Sequence, residues 1–223
     1  MKLESVKSSV KSVGLPKTLA DVGLRMANRA VLLKVLKGIR IETVDTRFLE
    51  PEQTYVGGFL DEATLRKFAN DPRWELSHAF LDEALAKGDE CYGFLAGNDL
   101  AAYGWYSNKP TTLDFKGLRL QFNDNYIYMY KGFTAPDHRG QRLHAIGMTR
   151  ALEAYLHRGY RGIVSYVEWN NFASLKSCYR MGYRDLGNVL IAGVRGHYIL
   201  RHDAGCEAYA FRVERTSNGH RTA

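Results

Sequence analysis

Residues 125–144, NYIYMYKGFTAPDHRGQRLH, read as a strand, a sharp turn and the start of a helix. Tyr126 to Thr134 is aromatic and β-prone, as expected of a buried strand. After the turn, Leu143, Ile146, Leu152 and Leu156, with Ala145, Met148, Ala151 and Tyr155, recur at helical spacing. The hinge between them, Pro136–His144, is rich in arginine and backbone donors and has no acidic side chain after Asp137. A helix N-terminus carries unpaired N–H groups and the positive end of a dipole, so a basic turn feeding it suits a phosphate. An ordinary strand-to-helix connection with solvated arginines fits the same residues, and the turn alone leaves both readings open.

Downstream, YRGIVSYVEW (160–169) reads as another strand. It ends at Asn170 and Asn171, and a short helix over Phe172–Met181 closes with Gly182 and Tyr183. Together these segments resemble the GNAT acyltransferase superfamily. That family has a Gln or Arg followed by Gly three positions on and by Gly or Ala five positions on, between its fourth strand and third helix. Arg139, Gly140, Gln141, Arg142, Leu143 and His144 look like this turn. The family then has a fifth strand and a helix opened by Asn, with a small residue three positions later and an aromatic after a closing Gly. Asn171, Ser174, Gly182 and Tyr183 stand at those places. The chain departs from the pattern at Arg142 and His144, where the family prefers small residues that let backbone approach a pyrophosphate.

The resemblance implies an α/β (α+β) fold with a mixed, mostly antiparallel central sheet flanked by helices, here with an added N-terminal basic helix. It also implies acetyl-CoA or another acyl-CoA as co-substrate, and no metal. By position, Gly132, Phe133 and Thr134 would lend main-chain groups to the pantetheine arm and thioester. Arg139 to His144 would hold the pyrophosphate, and Asn171 with Ser174 nearby would meet the pantetheine. Many members protonate the leaving thiolate with a tyrosine seven residues after the Asn. Here that place holds Cys178, while Tyr179, one residue later and turned by ~100° on a helix, cannot simply inherit the role but remains the catalytic candidate in this segment. Cys178 reads as a packing residue.

Acyl transfer to an amine needs a held donor, a deprotonated amine and a stabilised oxyanion. Glu168, at the end of the fifth strand, is the first choice for general base; a carboxylate paired with a neighbouring arginine is the alternative. Tyr126, Tyr128 and Tyr130 share a strand face by period two. They suit an acceptor cleft, an ordered water or plain packing, with Tyr128 the catalytic candidate among them. His138 and His144 sit by the phosphate turn, where cofactor contact or exposure fits better than catalysis.

The 223 residues suffice for one well-buried domain. Cys91, Cys178 and Cys206 lack metal-like spacing and make a disulfide framework or zinc site unexpected. No apolar run approaches the ~20 residues that span a bilayer, and residues 1–16 do not read as a signal peptide. A cytoplasmic location is expected. The net charge of +7 lies wholly in residues 1–40, where nine Lys or Arg face Glu4 and Asp21. The remainder is formally neutral, which argues against nucleic-acid binding.

The expected organisation is a basic tail with an amphipathic helix over 1–37, an acyltransferase domain over 38–213 and a disordered tail over 214–223. The helix is placed at Thr18–Lys37 and the first strand at Ile39–Phe48. Helices follow at Leu60–Asn70 and Trp74–Lys87, then a hairpin of Cys91–Ala96 with Leu100–Ser107. Lys109–Phe122 reads as an insertion, and Asn188–Val194 with Tyr198–Phe211 as a closing hairpin. The basic helix suits an anionic membrane on its inner face, an acidic acyl carrier protein, a dimer mate or the domain's own body. The expected function is transfer of an acyl group, acetyl by default, to a primary amine. The alternatives are long-chain transfer to a lipid or amino-acid amine at a membrane surface, and a non-catalytic acyl-CoA-binding module.

Overall fold

The structure, a computed structural model, describes residues 14–27, 31–49, 54–69, 71–194 and 196–216. Of the tails expected over 1–16 and 214–223, residues 1–13 and 217–223 lie outside them. An eight-stranded sheet runs in the order β10-β9-β1-β8-β7-β4-β3-β2. Its strands are β1 (Leu32–Ile41), β2 (Val56–Phe59), β3 (Glu90–Ala96), β4 (Asp99–Ser107), β7 (Tyr126–Thr134), β8 (Gly162–Glu168), β9 (Arg184–Val194) and β10 (His197–His202). Among the described residues, β7 and β8 pair in parallel and every other neighbour pair of this sheet is antiparallel. A second sheet, ordered β11-β6-β5, joins β5 (Thr111–Thr112), β6 (Leu118–Gln121) and β11 (Arg212–Arg215).

Period two on β7 sorts its side chains between two layers. Ile127 and Met129 pack with α4 (Leu143–His157), whose Leu143, Ile146, Met148, Ala151, Leu152 and Tyr155 are buried as the helical spacing predicts. Tyr126 and Tyr128 face the other way, under the small sheet, with Leu118, Leu120, Phe211 and Val213. Beside that sheet, α2 (Glu62–Phe68) and α3 (His78–Lys87) cover β3 and β4 through Leu65, Trp74, Leu81 and Trp105.

The N-terminal expectation is corrected. Helix α1 (Leu15–Ala27) stops ten residues short of Lys37, and the first strand starts at Leu32, not Ile39. The boundary expected at residue 37 therefore falls inside β1, which is bonded on one side to β8 and on the other to β9. The apolar run 31–36 carries no periodicity that separates helix from buried strand, and two ladders of backbone hydrogen bonds decide it. Gly38 fits because a Cβ there would lie 3.0 Å from the Phe211 ring.

Three other expectations change. Strand β2 is absent from the sequence reading, because Val56–Phe59 carries two glycines. The closing hairpin forms as β9 and β10, but its first strand starts at Arg184 and its second ends at His202, not Phe211. The chain then turns through α6 (Ala204–Ala208), whose N-cap Asp203 accepts from Cys206 N–H, into β11. Glu214 and Arg215 belong to that strand rather than to a tail, and Arg119 pairs with Glu214 at 2.7 Å.

Candidate active site

Strands β7 and β8 pair only over Tyr126–Tyr128 against Gly162–Val164. The Ser165 hydroxyl donates to Met129 O at 2.8 Å at the point where this pairing ends. Beyond it, β7 continues along β4 and β8 along β1, so the strands have different partners. The ladder between β4 and β7 shifts there: Trp105 opposes Lys131 but Tyr106 opposes Met129, leaving Tyr130 as the extra residue of a bulge. A bulge bends its strand and re-aims a side chain. Gly132, Phe133 and Thr134 follow it, opposite Gly104, Tyr103 and Ala102.

The hinge then turns through Pro136–His138 in one short 3-10 helix. His138 is tied down by Tyr55, whose hydroxyl lies 3.2 Å from Nδ1. Gly140 has φ +86°, and Arg142 takes the left-handed region at φ 58° and ψ 15° as the N-cap of α4, with no side-chain cap bond. The position where the resembled turn carries glycine is thus one where the backbone calls for it. The first bond into the helix is Ile146 N–H to Arg142 O at 3.0 Å. Among the described residues, the N–H groups of Gly140, Gln141, Arg142, Leu143 and His144 have no acceptor on the protein. Arg139, Gly140, Gln141 and Arg142 are exposed, so the hinge offers a row of donors and two guanidinium groups to solvent. Arg139 itself leans back on Thr134 O at 3.4 Å.

His144 does not point out with them. Its ring lies over Gly132, where a Cβ would come within 2.5 Å of His144 Cε1. Burial pushes its imidazole below the ordinary 6.5, favouring the neutral form. The large residue at a position the family keeps small is accommodated because β7 has glycine beneath it.

The remaining expected residues divide between the β7–β8 opening and other places. Asn171 caps α5 (Phe172–Arg180), its Oδ1 accepting from Ser174 N–H at 3.2 Å. Its N–H bonds to Glu168 O at 2.8 Å, fixing it to the end of β8. Glu168 is held by a lysine rather than an arginine: Lys34 Nζ lies 2.7 Å from both carboxylate oxygens. Tyr128 is buried, its ring tilted on Tyr130 at 5.9 Å and stacked with Tyr166 at 6.4 Å. Burial, reinforced by Tyr166 and Asp114, raises its phenol well above the ordinary range. Tyr179 is turned away from these rings. Its hydroxyl donates to Asp185 at 2.7 Å, and burial together with that carboxylate pushes its phenol up to about 12. Cys178 packs against the α4 core and burial pushes it up to about 11, in keeping with its reading as a packing residue.

What the sequence reading missed stands beside the bulge. A cavity of about 330 Å³ lies between α3, β5 and β7, and Glu83, Asp89, Asp114, Lys87, Tyr130 and Lys131 line it. Tyr130 donates to Asp89 Oδ2 at 2.8 Å, and Lys87 approaches the same oxygen at 2.9 Å. Asp89 is 41 residues from Tyr130, and no local pattern links the end of an amphipathic helix to a strand that distant. Among the described residues no three His, Cys, Asp or Glu gather as a metal ion would need, and no helix is long and apolar enough to cross a membrane.

No protein-family model and no curated protein sequence matches the chain. Solved structures do. A GCN5-related N-acetyltransferase-like protein from Streptococcus suis superposes with a TM-score of 0.50 at 13% identity, over 82% of this chain and 68% of that one. A Drosophila protein gives 0.50 at 13%, over 83% and 59%. A GNAT-family acetyltransferase from Colwellia psychrerythraea gives 0.48 at 13%, over 74% and 57%. At this identity the likeness is one of fold, and the fold is that of the GNAT N-acetyltransferases.

Proposed function

We propose that this chain, built on the GNAT fold, is an acyl-CoA-dependent N-acyltransferase that moves an acyl group, acetyl by default, to a primary amine. The observation that carries the reading is the coincidence of two features. The N–H groups of Gly140 to His144 lack acceptors at the N-terminus of α4, and β7 and β8 part company after Tyr128 on the strand that leads into this turn. Unpaired donors at a helix N-terminus suit a pyrophosphate, and the parted strands suit an extended pantetheine arm. Arg139 and Arg142 add charge to the same cradle. The thioester supplies the acyl group: the neutral amine forms the C–N bond, the C–S bond breaks and the sulfur leaves as a thiolate, and the proton that the nitrogen sheds passes to Glu168 and from there to the sulfur or to water.

Glu168 is the proposed proton acceptor, with Lys34 fixing its orientation. Neither Tyr128, buried under the small sheet, nor Tyr179, bound to Asp185, is assigned the leaving-group role, since a thiol of pKa ≈ 8.5 departs without a dedicated acid. The test is thiol release from acetyl-CoA across a panel of primary amines, alongside calorimetric titration with CoA. Absence of CoA binding would remove the reading, and CoA binding without turnover on any amine would leave an acyl-CoA-binding module in its place. Glu168→Gln is expected to lower kcat about 100-fold or more at saturating amine; full turnover would free Glu168 of the role and spare the rest.

A second reading concerns the donor and place of action. Helix α1 buries Thr18 and Asp21 and leaves Leu15 and Leu19 55% and 60% exposed. Between α1 and α5, Lys17, Lys37, Lys176 and Arg180 line a groove with Trp169 and Phe172. An apolar, basic surface favours a long-chain acyl donor delivered by an acidic carrier protein or met at an anionic membrane. Sedimentation with anionic liposomes, comparing the intact chain with Leu15→Glu/Leu19→Glu, tests the membrane version; equal sedimentation ends it.

A further inference from the structure

Helix α1 turns a polar face toward the domain. A surface helix ordinarily buries its apolar stripe, yet Leu15 and Leu19 are exposed while Thr18 and Asp21 are buried at 2% and 8%. Val22 and Leu24 are only half-buried beside them. Burying a carboxylate is costly unless hydrogen bonds compensate it, so docking alone does not explain Asp21. Its Oδ1 accepts from Asn170 Nδ2 at 2.7 Å, across 149 residues of sequence. Asn170 stands between Glu168 and Asn171, the residues assigned to the amine and to the pantetheine. The start of the same turn is bound to β1, where Trp169 N–H donates to Val35 O at 2.8 Å and Lys34 holds Glu168. Those bonds to β1 end at Trp169, and the chain then leaves the sheet and enters α5 through Asn171. Asn171 has φ −87° and ψ 69°, in the inverse γ-turn region. The other N-caps with a side-chain bond, Asp45, Asp61, Asp71, Ser77 and Asp203, are extended, with ψ from 107° to 168°. A cap bent away from that conformation depends on its neighbours to hold it, and Asp21 grips the residue next to it.

We propose that Asp21 is a positioning residue of the acyltransferase site: through Asn170 it holds the turn between β8 and α5 in the conformation that presents Asn171 to the cofactor. The inference rests on the acyltransferase reading. Asp21 acts through Asn170 rather than on the reacting atoms, and it makes α1 a part of the site instead of an appended arm. Without the carboxylate, the Asn170 amide loses its anchor. The peptide between Asn170 and Asn171 then relaxes toward the extended geometry of the other caps, which re-aims the Asn171 side chain and backbone.

The test titrates the full-length protein with CoA by calorimetry. Asp21→Ala is expected to weaken CoA about tenfold, and Asp21→Asn, whose amide oxygen still accepts from Asn170, to stay within about threefold of the unaltered chain. Asn170→Ala should reproduce the loss, and combining it with Asp21→Ala should add nothing further. Thr18→Ala is the control for docking: it removes a buried side chain from the same face of α1 but leaves the bond, so it should lower the melting temperature and keep the CoA affinity. Unchanged affinity in Asp21→Ala, an equal loss in Thr18→Ala, or additive losses in the double variant would overturn the proposal. Should Asp21→Ala not fold, Asn170→Ala carries the measurement, and unchanged affinity there counts against it. Acetylation of the amine panel separates the two readings. Equal CoA binding and turnover in the unaltered chain and Asp21→Ala overturns the positioning role and keeps the enzyme. A tenfold loss of CoA affinity with no amine acetylated by either chain keeps the positioning role and removes the reaction, and no CoA binding by the unaltered chain overturns both.

Discussion

Gly132 and His144 form a matched pair. A methyl at Gly132 would meet His144 Cε1 at 2.5 Å and Met129 Cε at 2.8 Å. Gly132→Ala is expected to cost about 1–3 kcal/mol in denaturant unfolding, with His144→Ala in the same chain recovering part of the loss. Independent, additive effects would show that the two do not share the space. The same burial makes His144 pH-sensitive. Its folded pKa lies below the ordinary 6.5, so below that value the unfolded chain binds a proton that the folded one resists. Stability is full above about pH 6.5 and falls as pH drops toward the folded value. His202, whose Nε2 accepts from Val213 N–H and whose pKa is also lowered by burial, acts in the same direction. Melting His144→Gln across pH 5–8 should therefore flatten part of the acid-side slope, and an unchanged slope would exclude His144 as a contributor. At this scale the hinge was legible in the sequence, because the donors and the left-handed turn are local. The environment of its side chains was not: that His144 points inward depends on a glycine twelve residues upstream.

Strand β1 illustrates the gap between a segment's propensity and its place. Its residues fit an amphipathic helix nearly as well as a strand, and pairing with β8 and β9 settles the matter. Leu36, fully buried between those neighbours, is expected to cost about 2–5 kcal/mol as Leu36→Ala. A chain starting at residue 14 should keep a cooperative melt, whereas one starting at residue 38 should lose it, since the cut removes Leu32–Lys37, which pair with β9, including Leu36 and Lys37, which also pair with β8. Circular dichroism melts of the two truncations check this, and a folded chain from residue 38 would contradict the sheet order. Helices α3, α4 and α5 were legible to within a few residues, except that α3 starts at His78 and Pro72–Trp74 forms a separate 3-10 turn. Their apolar spacing is regular and their caps are local, Ser77 and Asn171 each accepting from an N–H three residues on.

Across the whole molecule, the sheet closes only when the first described strand slots between β8 and β9, near the end of the chain. Such non-local pairing makes loop closure precede its reward. Refolding from denaturant is expected in milliseconds to seconds, followed by stopped-flow far-UV dichroism; microsecond recovery would be incompatible with this topology. The same long-range closure assembles the site, since Asp89, Tyr130, Glu168 and Lys34 come from four separate parts of the chain. The sequence by itself determined the strand–turn–helix hinge, the capped helix at Asn171 and, through them, the fold, because helix periodicity, caps and turns are short-range properties. Only the tertiary structure decided that β1 is central rather than part of an arm. It alone placed Lys34 on Glu168, turned Tyr179 toward Asp185, and set Asp89 with one oxygen unpaired beside the bulge. Those outcomes depend on which strands pair and which side chains they desolvate together, and neither is written in any window of neighbouring residues.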